Sequence, residues 1–119
     1  IKIKVNGELR FVSNCHCSQC MKTHGNFAAY TSCLEQNVTF ISMKSLKWFK
    51  SSKIAKRGFC NKCGASIFFK KINSDNISIA AGMFNYPTNL KTRHNIFTKG
   101  KLDFYTLDTK IRRFNKYSK

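Results

Sequence analysis

Five of the six cysteines fall into two short clusters, and no other feature limits the possible folds of this chain so sharply. Cys15, Cys17 and Cys20 form C-x-C-x-x-C; Cys60 and Cys63 form C-x-x-C, followed directly by Gly64. Thiols bunched in polar, turn-like sequence point to a metal ion, because the two thiolates of a C-x-x-C turn converge on one tetrahedral ion while backbone N–H groups support the sulfurs. Gly64 suits such a knuckle, which needs a left-handed residue. Cys33 stands apart in the run NFAAYTSCL and reads as a buried free thiol, equivalent to a small apolar residue.

Ligand count separates the clusters. A closed structural zinc site takes four ligands, whereas three protein ligands leave one position open. Cys15, Cys17 and Cys20 are therefore expected to hold Zn2+ with room for an incoming thiolate, such as a small thiol substrate whose pKa the ion lowers. Cys60 and Cys63 are two ligands short of a closed site. Cys33, a histidine, or residues preceding Ile1 are the candidates to complete it. A redox pair is the rival reading of FCNKCG, but the βαβ context of a thioredoxin-like motif is absent.

The remaining pattern is that of a small all-β domain spanning 1–119. Ile1, Ile3 and Val5 alternate with Lys2 and Lys4, and Asn6-Gly7 leads into Leu9–Val12, so the start reads as a β-hairpin. NFAAYTSCL places Phe27, Ala29, Thr31 and Cys33 on one strand face and Ala28, Tyr30, Ser32 and Leu34 on the other, with little polarity on either. VTFIS, LKWFK, SIFFK, NISIAAG, HNIFTK and LDFYTL are further short strands. A helical turn or two is expected across Ser18 to His24.

The net charge of +17 arises from 22 Lys and Arg against five acids, which favours anionic partners without choosing among them. Seventeen of the basic residues are Lys and only five are Arg, the residue that reads phosphates and bases with a rigid fork. Lys44, Lys47, Lys50, Lys53 and Lys56 recur at every third residue, a period that fits neither a strand face nor a helix stripe, and read as solvated surface. No apolar run approaches the ~20 residues of a membrane span, and no signal-peptide pattern is present. A cytoplasmic, reducing location is the expectation, which again favours metal ligands over disulfides.

CHCSQCMKTHGNF and SSKIAKRGFCNKCGASIFF together resemble the paired cysteine signatures of the glutathione-dependent formaldehyde-activating enzyme family, which includes the centromere protein V domain. AAGMFNYP, HNIF and FYTLD resemble its later segments, so the likeness spans essentially the whole chain. It implies an Mss4-like zinc-binding β-sandwich of short antiparallel strands, with catalytic zinc on Cys15, Cys17 and Cys20. Cys60 and Cys63 then hold a structural zinc together with a C-x-C just before the first strand; since IKIKV resembles that strand, the pair is expected upstream of Ile1. The implied activity is that of a carbon–sulfur lyase, S-(hydroxymethyl)glutathione synthase, with glutathione and formaldehyde as partners. Lys22 and Arg57 are candidates for contacts to the anionic thiol. Met21 stands where the family often has Arg, Phe104 where Trp is usual, and Arg112 near a common Pro.

Among other polar residues, His16 is expected to point outward between two ligands and His24 to lie on the surface. His94 is expected to hydrogen-bond in or beside the core, and Asp103 and Asp108 show no paired-carboxylate logic. Two rival readings stand beside the enzyme: a zinc-stabilised module whose basic surface binds nucleic acid, against which the sparse Arg and the absence of zinc-finger spacing count, and a remnant weakened by an incomplete metal site.

Overall fold

The computed structural model describes residues 1–118. Ten strands form two sheets around one short helix. They are β1 (Lys2–Val5), β2 (Val12–Cys15), β3 (Ala28–Leu34), β4 (Val38–Ser42), β5 (Leu46–Lys50), β6 (Ala55–Cys60), β7 (Ser66–Lys71), β8 (Asn76–Ala80), β9 (Thr92–Ile96) and β10 (Arg112–Arg113). β1 and β4 make a two-stranded sheet, and the other eight run in the order β10-β9-β2-β3-β8-β7-β6-β5. The helix, α1 (Ser18–His24), occupies the span expected of it and ends on Gly25 in the left-handed conformation.

The all-β class is as expected, but the strands are not all antiparallel. β2 pairs with β9, and β9 with β10, in parallel, because the chain returns to that edge only after building the rest of the sheet. Nor does the start form a hairpin. Asn6-Gly7 does turn, with Asn6 N–H donating to Asn37 O and Gly7 at φ 101°, yet β1 pairs with β4. β2 has no edge to offer it: β3 takes one side and β9 the other. LDFYTL forms no strand either, since the free side of β9 is filled by β10. β6 and β10 were hidden in sequence that reads as polar connection, β6 because Lys56 and Arg57 mask its alternation.

Side chains alternate along a strand, and here both faces of the central strands are used. Phe68, Ile77, Ile79, Cys33 and Cys60 point to one face and form the main core, closed by Ile3, Val5 and Phe40 from the small sheet. Cys33 is the buried free thiol the sequence suggested. The intervening residues, Phe69, Ser78, Tyr30 and Arg57, face the opposite side and line a cavity. β5 ends the large sheet and exposes Lys47 and Lys50, charges that discourage edge pairing with another chain. Of the lysine series, only Lys56 is partly covered, its ammonium 4.3 Å from the Trp48 ring centre.

Gly58 is where the core face crowds the backbone. A Cβ there would sit 3.0 Å from Phe68 Cδ2 and 3.2 Å from Leu46 Cδ1. Gly58→Ala is expected to cost about 1–3 kcal/mol by overpacking, read as a lower midpoint in urea unfolding.

Candidate metal centre and cavity

The C-terminal end of β2 delivers Cys15, and the chain then turns into α1, which carries Cys20. Cys17 is the N-cap of that helix, its Sγ accepting from Cys20 N–H at 3.4 Å. Strand end, cap and first turn thus bring three sulfurs together, all within 4.8 Å of one another. The spacing works because the cap residue stays extended while Cys20 rises one helical turn onto the same side.

The thiols already share charge. Cys15 donates a hydrogen bond to Cys20, and with Arg57 Nη2 3.6 Å from Cys20 Sγ this lowers the Cys20 pKa to about 6. The same bond, together with burial, pushes Cys15 upward. Three sulfurs so placed, partly buried and beside a guanidinium, are a fitting donor set for a soft divalent ion such as Zn2+.

They open onto a cavity of about 460 Å³. Its walls include Arg10, Arg57 and Lys71, with Tyr30, Phe69, Ile96 and Phe97 as apolar and aromatic surface. Arg57 is 8% exposed, and its Nε and Nη1 have no hydrogen-bond partner. No Asp or Glu lines the cavity among the described residues, and the ion pair found there, Lys70 with Glu35, lies elsewhere. Apart from the thiols, the cavity therefore presents cations without acidic side chains beside them.

Arg57 is thus brought to the thiols, but Lys22 is not: it lies exposed on α1 outside the lining residues. Cys60 and Cys63 also stay apart. Cys60 is buried, its Sγ 3.3 Å from Ser45 Oγ, and that bond and the Cys63 and Lys62 backbone N–H groups lower its pKa to about 6. Cys63 is exposed, and Gly64 takes the left-handed turn at φ 78°. Neither Cys33 nor a histidine joins this pair among the described residues.

All three histidines differ from expectation. His16 points inward and is fully buried: its Nε2 donates to Asn95 Oδ1 at 2.9 Å, and its Nδ1 lies 2.5 Å from the Tyr105 hydroxyl. An outward ring would have left Asn95 and Tyr105 unmatched. Burial holds His16 below its usual pKa and so neutral. His24 is half-buried, with Nε2 3.2 Å from the Tyr30 hydroxyl behind the cavity wall. His94 lines the cavity between Phe11 and Phe114, and its Nδ1 has no partner. Ser13 and the cavity-lining Tyr117 carried no sequence signal, and Tyr105 was read only as part of FYTLD, since their partners lie far along the chain. Asp108 caps a turn through the Lys110 N–H.

The model of the family described as Glutathione-dependent formaldehyde-activating enzyme matches residues 1–100. No curated protein matches the chain. Tyr105 and Tyr117 lie beyond the matched span.

Tyr105→Phe removes the donor facing His16 Nδ1 and leaves a buried nitrogen unpaired. It is expected to destabilise the protein by about 1–3 kcal/mol, whereas the neighbouring exposed Phe104→Ala should stay within about 0.5 kcal/mol, both read from chemical denaturation.

Proposed function

The chain belongs to the glutathione-dependent formaldehyde-activating enzyme family, and from that premise we propose that its cavity binds glutathione and promotes addition of the thiol to formaldehyde. One observation carries the reading: three clustered sulfurs and a buried guanidinium with two unpartnered nitrogens belong to residues lining the same cavity. Such a site suits a ligand that is both a thiol and an anion. In the reaction the sulfur forms a bond to the aldehyde carbon and the carbonyl oxygen takes up a proton, so no oxidant or reductant is needed.

Cys15, Cys17 and Cys20 are the residues that would hold zinc, which supplies an open, Lewis-acidic position that keeps a thiol deprotonated near neutral pH. Arg57 then has two roles. Its Nη2 steadies the charge on Cys20, and its Nε and Nη1, which have no partner, remain to bond the ligand. Arg10 and Lys71 add positive potential to a site with apolar walls, where water screens charge poorly. Phe69, Ile96 and Phe97 limit water around the reacting carbon. Lys22, on the outer surface, contributes only to the field that draws an anion inward. Cys60 and Cys63 serve as ligands of a second, structural ion, which the knuckle geometry supports.

The test is exchange between formaldehyde and its glutathione adduct, followed by NMR at equilibrium. The protein is expected to speed exchange above the uncatalysed rate, Cys17→Ser to abolish the effect, and Arg57→Met to raise KM about 10- to 100-fold, the loss of a charge-assisted hydrogen bond. An exchange rate unchanged by the wild-type protein would overturn the proposal.

A further inference from the structure

Of five buried side-chain polar atoms without a hydrogen-bond partner among the described residues, four belong to residues lining the cavity. They are Ser13 Oγ, His94 Nδ1, and Nε and Nη1 of Arg57. Each has given up hydrogen bonds to water and made none within the protein, which folded chains otherwise avoid. Gathered in the wall of one cavity, they mark unused hydrogen-bonding capacity there.

Their placement is regular. Ser13 and His94 are direct partners across the parallel β2–β9 pair, and Ser13 is 5% exposed. Ser13 lies two residues before Cys15 on the same strand, hence on the same face and about 6.5 Å along it. In a short peptide, a carboxylate one or two residues from the thiol-bearing residue reaches about that far, roughly 3.5–7 Å. Arg10 lines the same cavity, its Nη2 anchored on Tyr30 O at 2.9 Å.

We propose that Ser13 and His94 form a second polar subsite, one strand repeat from the three sulfurs, that takes a carboxylate of the thiol substrate. The assignment rests on the thiol-binding reading above and specifies which thiols it admits. The Ser13 hydroxyl donates, His94 Nδ1 donates in the matching tautomer, and Arg10 and Arg57 supply the counter-charge. Away from the thiols an amine would meet Arg10, Arg57 and Lys71, and no Asp or Glu lines the cavity among the described residues. Burial, with Arg112 and Arg10 nearby, holds His94 below its usual pKa, so it acts as a neutral hydrogen-bonding group.

A structural Ser13 and a ligand-binding Ser13 make opposite predictions for stability. Removing an unpartnered buried hydroxyl should leave stability unchanged or raise it, so Ser13→Ala is expected to keep its Tm. Calorimetric titration with S-methylglutathione, whose sulfur is blocked but whose carboxylates remain, reads the subsite without the thiol chemistry. Wild type is expected to bind it, Ser13→Ala about 10- to 100-fold more weakly, and S-methylcysteamine, which has no carboxylate, should bind poorly to both. His94→Phe, which keeps the aromatic packing, should weaken S-methylglutathione as well. Equal binding of S-methylglutathione by wild type and Ser13→Ala, or a lower Tm for Ser13→Ala without a binding loss, overturns the subsite. If in that case glutathione still reacts, the function stands without it; if glutathione neither binds nor reacts, both fall.

Discussion

A β-strand shows its side chains alternately to two faces, and in this protein neither face of the central strands is given up to water. Phe68 enters the core while Phe69 enters the cavity; Ile77 and Ile79 are core while Ser78 between them is cavity wall. On β6 the same rule sets Gly58 against Phe68 and aims Arg57 at Cys20. One sheet thus provides the apolar burial that stabilises the fold and the polar wall of the cavity. A register slip of one residue would exchange the two and lose both.

Electrostatics follows from that division. The chain carries 17 more positive than negative formal charges, mostly as solvated Lys, and such a field attracts any anion. The cavity adds something more specific: a buried guanidinium, with donors in a fixed fork, lies beside three sulfurs without acidic side chains among the described residues. A charged surface alone would recruit nucleic acid as readily as a small thiol. A concave, thiol-lined cavity suits a small ligand better than a polymer.

The local features were legible in the sequence and the long-range ones were not. The thiol cluster, the helix over Ser18–His24, the Gly64 turn and the two-faced strand around Tyr30 and Cys33 are written in neighbouring residues, and the structure contains each. The opening hairpin was misread because turn chemistry shows that the chain turns, not which edge is free to pair. LDFYTL has a strand composition, yet Tyr105 is held by His16, 89 residues away in sequence. Arg57, named from its place before the second cysteine pair, lies beside Cys20. The pairing of Ser13 with His94 was not legible, since nothing local brings the two together.

The sulfur cluster is framed on one side by His16, locked between Asn95 and Tyr105, and the cavity on another by Tyr117, whose ring packs on Phe97. Residues beyond 100 therefore shape a site whose thiols lie near the start of the chain. This site is predicted to accept a thiolate as a further ligand beside Cys15, Cys17 and Cys20. Cadmium-113 NMR of the cadmium-substituted protein tests it directly, with the cluster resonance assigned by its loss in Cys15→Ser. Glutathione is predicted to move that resonance in the direction of added sulfur coordination and leave any signal from Cys60 and Cys63 in place. A cluster resonance unmoved at saturating glutathione would contradict the account.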